Sequence, residues 1–174
     1  MKFKLVIVFL CSISVHLQAT QVIMLMGPSC AGKSTLSKHL CTELNVDNGQ
    51  WKVIDFDEVE ENIDLLITAT NNSLQEGINV IIDTNTYEDG MEQKFNNISA
   101  VIKVVVTAPL EVLLQRDVRR TELLKRDEKR ASRCRDFVID SFNRSLIWFF
   151  DLIIDSSEQS IQESCNIILS VCYR

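Results

Sequence analysis

Residues 27–34 read Gly27-Pro28-Ser29-Cys30-Ala31-Gly32-Lys33-Ser34, and this stretch decides the fold. It has a glycine, four free positions and then Gly-Lys-Ser, which is the pattern of a phosphate-binding loop. The residues before it, from Val22 to Met26, form an apolar run typical of a buried strand. The residues after it, from Thr35 to Leu44, place apolar side chains at helical spacing. A strand, a glycine-rich loop and a helix in this order direct backbone N–H groups at one point, which predicts an anion site.

The loop predicts ATP binding. The glycines let the backbone turn tightly and approach the phosphates, Lys33 would reach the β- and γ-phosphates, and the Ser34 hydroxyl would bind Mg²⁺. Without a ligand, the Lys33 side chain is expected to face solvent. The alternative is a chance match on a surface loop, but the strand and helix on either side favour nucleotide binding. The residues predicted to contact the nucleotide are Gly27, Ser29, Cys30, Ala31, Gly32, Lys33, Ser34 and Thr35.

Half of the basic residues fall in one segment. The chain has 18 Lys and Arg residues and a net charge of −6, and nine of those residues lie between positions 116 and 135. This favours an anionic ligand at one place and does not indicate a nucleic-acid partner. The segment is either a lid that closes over the phosphates or a solvated helix, because acidic residues interleave with the basic ones. Arg116 and Arg120 lie one helical turn apart and are the predicted catalytic arginines.

The first 19 residues have the layout of a secretory signal peptide. Lys2 and Lys4 precede an apolar run from Leu5 to Ile13, and cleavage after Ala19 would leave a single domain over residues 20–174. This predicts a secreted or periplasmic protein without a stable membrane span. The alternative is an extra strand or helix of a cytoplasmic domain. The five cysteines that follow this segment lack CxxC spacing, so core packing is the favoured interpretation.

Apolar segments alternate with helical patterns along the chain. Strands are predicted at 22–26, 79–83, 101–107 and 149–154. A further short strand, the second in the chain, is predicted to end at Ile54. Helices are predicted from about Glu58 to Leu66, over 89–98, over 110–120 behind Pro109, and from a Ser160–Glu163 capping box to Val171. The repeated order of strand and helix predicts an α/β fold in three layers, with a five-stranded parallel sheet covered on both faces.

Aspartates follow two of the predicted strands. Asp83 ends the third strand, where an aspartate of a phosphate-loop enzyme organises Mg²⁺. It would otherwise cap the following turn. Asp55 and Asp57 follow the second strand and face the same side of an extended segment. One of them would accept the proton of a substrate hydroxyl, and Asp57 is the first choice, although either would also serve as a helix cap.

Several segments together resemble a known family. Residues 24–36, Val53-Ile54-Asp55-Phe56-Asp57, Ala108-Pro109-Leu110-Glu111-Val112 and 151–155 resemble the chloramphenicol phosphotransferase-like kinases. The block from Ala108 to Val112 is also similar to adenylylsulfate kinases. Residues 79–85 resemble zeta-toxin and polynucleotide-kinase relatives. The resemblance implies a nucleoside-monophosphate-kinase-like fold, with a base at Asp57 and lid arginines at Arg116 and Arg120.

These observations predict an ATP- and Mg²⁺-dependent kinase that phosphorylates a hydroxyl of a small molecule. A nucleotide-binding interaction protein without turnover is the alternative, although the intact Lys33, Ser34, Asp57 and Asp83 argue against decay. A GTP-binding switch is a weaker alternative, because the Asn-Lys-x-Asp motif that it needs does not occur in the chain.

Overall fold

A parallel sheet forms the centre of the fold. The computed structural model describes residues 22–46, 49–85, 91–95, 98 and 100–172, so the predicted signal segment lies outside the described residues. In these ranges the strands are β1 (Val22–Met26), β2 (Trp51–Asp55), β3 (Asn79–Thr84), β4 (Val101–Thr107) and β5 (Leu152–Asp155). The helices are α1 (Lys33–Val46), α2 (Ile63–Gln75), α3 (Met91–Phe95), α4 (Leu110–Leu123), α5 (Glu128–Ser145) and α6 (Ile161–Cys172).

The strand order is β2-β3-β1-β4-β5, and every neighbouring pair is parallel. In a parallel sheet the carboxyl ends of all strands lie at one edge, where ligands bind in open α/β folds. The phosphate loop follows β1 in the middle of this edge. Asp55 and Asp83 are paired in register at the ends of β2 and β3.

Side chains of the strands alternate between two cores, as the pleat of a strand requires. Ile23 and Leu25 pack on the face covered by α1, α4, α5 and α6, with Leu40, Leu113 and Ile168 among their neighbours. Val22, Met24 and Met26 belong to the opposite core, which α2 and α3 cover. The predicted α/β fold in three layers is confirmed.

Several predicted boundaries were wrong. The helix expected from Glu58 begins only at Ile63, because Asn62 caps it by accepting hydrogen bonds from the backbone N–H groups of Asp64 (2.9 Å) and Leu65 (3.2 Å). A short 3₁₀ turn, Asp57–Val59, precedes it. Strand β5 begins at Leu152 rather than at residue 149. The helix expected over 89–98 is described only as Met91–Phe95, and Asp89 lies outside the described residues.

Two local predictions were more accurate. The capping box of α6 is present, since Glu163 Oε2 accepts from the Ser160 hydroxyl (2.7 Å) and from the Ser160 backbone N–H (2.8 Å). Helix α4 follows Pro109 as expected, with the proline at the cap position and the helix continuing to Leu123.

Candidate active site

The phosphate loop depends on its first glycine. Gly27 has a φ of 148°, and a Cβ atom at this position would lie 1.9 Å from the carbonyl oxygen of Val106 in β4. Any side chain would therefore collide with the neighbouring strand. Gly32 has a φ of 94° and open space where its Cβ would be, so a ligand has room to approach the backbone there. Cys30 also adopts a positive φ, 65°, which is unusual for a residue with a side chain.

Lys33 is buried, contrary to the expectation that its side chain faces solvent in the absence of a ligand. It is 4% exposed, and its Nζ donates a hydrogen bond to the carbonyl oxygen of Pro28 (2.9 Å). Burial lowers the pKa of the Lys33 ammonium to about 8, although the nearby Asp83 carboxylate opposes the shift. The loop thus folds around its own lysine and holds the cation inside the turn.

Asp83 lies beside the lysine and is also buried, with 4% exposure. Burial raises the pKa of this carboxyl, whereas the Ser34 hydroxyl, which donates a hydrogen bond to it, and the Lys33 ammonium oppose the rise. A hydroxyl and a carboxylate in contact form the kind of oxygen donor set that Mg²⁺ takes. The structure therefore brings together the two residues predicted to hold the metal.

Asp55 and Asp57 have different surroundings. Asp55 is half-buried, and its Oδ1 accepts a hydrogen bond from the backbone N–H of Asp57 (3.0 Å). Asp57 is exposed and opens the 3₁₀ turn. Asp55 therefore holds the backbone of the turn, while the Asp57 carboxylate is available to a ligand.

The two predicted arginines also differ. Arg116 is half-buried and is held by the β5–α6 loop, since it donates to the Ser156 hydroxyl (2.8 Å) and the Ser156 carbonyl oxygen (2.7 Å). It donates a longer hydrogen bond to the carbonyl oxygen of Cys30 (3.3 Å). Arg120, one turn further along α4, is exposed.

One cavity of about 340 Å³ collects most of the predicted site, and we call it the phosphate cavity. Three predicted residues do not line it: Gly27 packs on β4, Ala31 is fully buried in the core, and Asp83 lies below Lys33 and Ser34. The residues that line the phosphate cavity are Ser29, Cys30, Gly32, Lys33, Ser34, Thr35, Asp57, Asn85, Arg116 and Arg120.

Sequence reasoning missed several residues around the loop. Ser141 of α5 is fully buried, and its Oγ accepts a hydrogen bond from the backbone N–H of Ser29 (3.1 Å). Ser156 anchors Arg116, as described above. Asn85 and Ser156 both follow strands, so the rule that ligands bind beyond the carboxyl ends of parallel strands would have found them. Ser141 carries no such signal, because it lies within an amphipathic helix.

A second cavity, of about 220 Å³, lies between the phosphate loop and the β5–α6 loop. Its walls include Cys30, Val106, Ile154 and Gln159. The Oε1 atom of Gln159 is buried and accepts no hydrogen bond from any residue in the described ranges. We call this space the side cavity.

A family model described as ABC transporter matches residues 10–143. The chain belongs to this family of P-loop NTPases. The match covers the phosphate loop and four of the five strands, so membership in the ABC transporter family supports nucleotide binding by this loop. No helix in the described ranges is both long enough and apolar enough to cross a membrane.

Solved structures share the fold at low sequence identity. The APS kinase CysC of Mycobacterium tuberculosis, solved with AMPPNP and APS, has a TM-score of 0.69 and 15% identity, over 90% of this chain and 99% of that chain. A sugar kinase from a Janibacter species has a TM-score of 0.59 and 17% identity, over 87% of this chain and 93% of that chain. No curated protein matches the sequence. The resemblance to chloramphenicol phosphotransferase-like kinases stays a prediction.

Proposed function

We propose that this protein is a kinase that transfers the γ-phosphate of ATP to a hydroxyl group of a small molecule. One observation carries the proposal: a phosphate loop with its lysine, an exposed carboxylate and two arginines line a single cavity. Phosphoryl transfer needs positioning and charge stabilisation more than covalent chemistry, and these residue types supply both. The kinase structures that share the fold are consistent with this reaction.

Each residue has a role in the transfer. Lys33 and the loop backbone hold the β- and γ-phosphates, and Asp57 accepts the proton of the acceptor hydroxyl. The hydroxyl oxygen forms a bond to the γ-phosphorus, the bond from that phosphorus to the β–γ bridging oxygen breaks, and ADP leaves with the electron pair. Arg116 and Arg120 stabilise the charge of the transferring group. Ser34 and Asp83 would hold Mg²⁺, which neutralises charge on the phosphates when bound.

The side cavity is suited to the nucleobase. It adjoins the phosphate cavity through Cys30, Gly32 and Thr35, and Gln159 places a buried, unpartnered acceptor there. The amino group of adenine donates a hydrogen bond where guanine has a carbonyl oxygen, which accepts one. The unpartnered oxygen of Gln159 can therefore accept a hydrogen bond from the amino group of adenine.

Calorimetry with AMPPNP and Mg²⁺ tests the proposal on the full chain. We expect the wild type to bind and Lys33→Met to weaken binding by about 10- to 100-fold, the scale of a lost charge-assisted hydrogen bond. Methionine fills the buried space that alanine would leave empty. Lys38→Met is the matched control, because Lys38 is exposed on the same helix and does not line the cavity.

Equal affinity in the wild type and Lys33→Met, or no binding by the folded wild type, would contradict ATP binding at this loop. Once binding is established, a screen of hydroxyl compounds for ADP formation identifies the acceptor. Binding without turnover on any acceptor would favour the alternative of an interaction protein.

A further inference from the structure

A third cavity, of about 370 Å³, lies between α4, α5 and the phosphate loop. Most of its lining residues come from the basic segment, and we call it the arginine cavity. The residues that line it are Ser29, Asp117, Arg120, Arg126, Arg130, Arg133, Cys134 and Phe137.

The charges of this cavity are not balanced. Arg126 Nη1 contacts Asp117 Oδ1 at 3.1 Å, and their side chains are only 9% and 6% exposed. Across the described ranges, the side chains of Arg120, Arg130 and Arg133 form no ion pair. One carboxylate therefore faces four guanidinium groups in the lining.

The buried arginine has unused hydrogen-bonding capacity. Arg126 Nη1 also donates to the Thr121 hydroxyl (3.3 Å), but its Nε is buried and has no partner among the described residues. Burying a donor without a partner costs free energy, so Arg126 retains capacity for a further hydrogen bond. A guanidinium offers its donors in a planar fork that matches phosphate oxygens.

The arginine cavity and the phosphate cavity share two residues, Ser29 and Arg120. They therefore meet at the third residue of the phosphate loop. A molecule in the arginine cavity would lie next to the phosphates of a nucleotide without occupying their place. This is the arrangement that a second substrate of a transfer reaction requires.

We propose that the arginine cavity binds the acceptor and that the acceptor is a phosphate monoester with a free hydroxyl group. Its phosphate would contact Arg126, Arg130 and Arg133, and its carbon skeleton would pack on Phe137. Its hydroxyl would point past Arg120 toward the phosphate cavity. This inference rests on the proposed function, because it names the substrate class of that reaction.

Each cavity contains a natural reporter, since Cys30 lines the phosphate cavity and Cys134 lines the arginine cavity. The full chain is first saturated with AMPPNP and Mg²⁺, and inorganic phosphate is then titrated in a calorimeter. In parallel, alkylation by iodoacetamide is followed at each cysteine by peptide mapping. We expect inorganic phosphate to bind the AMPPNP complex and to slow alkylation of Cys134 without further protecting Cys30.

Arg133→Gln is the test variant, because Arg133 is exposed and its loss leaves the buried ion pair intact. We expect it to weaken phosphate binding by about tenfold or more, the effect of losing a charge-assisted contact. Lys129→Gln is the matched control, since Lys129 is exposed on the same helix and does not line the cavity. It removes the same charge and should leave phosphate affinity unchanged.

The proposal is overturned if phosphate does not bind the AMPPNP complex, if Cys134 is not protected, or if both variants weaken binding equally. Failure of AMPPNP itself to bind would refute the proposed function instead. In that case, phosphate protection of Cys134 in the nucleotide-free protein still decides whether the arginine cavity binds anions.

Discussion

Asp57 and Asp55 are two residues apart and both carry a carboxylate, yet the two side chains have different surroundings. Asp57 is exposed and lines the phosphate cavity, whereas Asp55 accepts a hydrogen bond from the backbone of Asp57. We expect Asp57→Asn to retain AMPPNP binding and to lower the rate of ADP formation by about 100-fold or more, the usual scale for general base catalysis. Single-turnover measurement of ADP with the acceptor found in the screen checks this.

Asp55→Asn is the comparison variant. It keeps an oxygen that accepts from the backbone of residue 57, so we expect a much smaller loss of rate. The opposite pattern, with the large loss at Asp55, would move the base by two residues.

At the scale of single residues, the sequence predicted identities better than environments. The loop pattern identified Lys33 and Ser34, and the end of the third predicted strand indicated Asp83, which lies beside both residues. It did not indicate that Lys33 is buried, because burial depends on the Pro28 carbonyl oxygen folding back over the ammonium. It also did not identify the clash with Val106 that makes Gly27 obligatory, because that contact joins the loop after β1 to β4, far along the chain.

Helix α4 presents its two site arginines in different states, and this decides what each substitution does. Arg120→Lys removes a planar fork from an exposed position, so we expect the rate of transfer to fall more than AMPPNP affinity does. Arg116→Lys should lower the rate and also the melting temperature, because Arg116 is tied to Ser156 and Cys30. Arg119→Lys is the control, since Arg119 is exposed and lines neither cavity. Kinetics and thermal melts distinguish the three variants. Equal, small changes of rate and melting temperature in all three would mean that Arg116 and Arg120 are only surface charge.

Asp117 of α4 forms a buried ion pair with Arg126, which lies in the turn between α4 and α5. Asp117→Asn leaves Arg126 without a compensating charge, so we expect a loss of about 3–5 kcal/mol in the free energy of unfolding. Urea denaturation measures this directly. Asp140→Asn removes the same charge from an ion pair with Arg144, in which Asp140 is 63% exposed and Arg144 is 43% exposed. It should lower the free energy of unfolding by at most about 1 kcal/mol. Similar losses in both variants would show that the buried pair has no special role.

At the scale of elements, the sequence predicted strands well and the basic segment poorly. Strands β1 and β4 begin and end where their apolar runs do. The segment over 116–135 contains the end of α4, a turn and the first part of α5. Its mixed charges do not reveal which arginines are buried, because Arg126 lies beside Asp117 only once the turn after α4 folds back on that helix.

For the molecule as a whole, the order of strands explains why so few motifs were enough to predict the fold. Alternating apolar strands and helices force a covered parallel sheet, and the phosphate loop then lies at its carboxyl edge between β3 and β4. The arginine cavity could not be predicted in the same way. It depends on how the α4–α5 pair packs against the loop, including the contact of Ser29 with Ser141.

The last prediction concerns the core that α6 covers, and it tests the whole fold. Cys165 and Cys172 are buried in this core, and burial raises the pKa of each thiol to about 11. Because the thiolate is the reactive form, only about 0.1% of each would be reactive at pH 8, rising about tenfold per pH unit up to about pH 10. We expect iodoacetamide at pH 8 to modify Cys134 of the native protein while Cys165 and Cys172 stay unmodified, and denaturant to expose all of them. Peptide mapping by mass spectrometry reads each site, and modification of Cys165 as fast as Cys134 in the native protein would mean that α6 does not seal this side of the sheet.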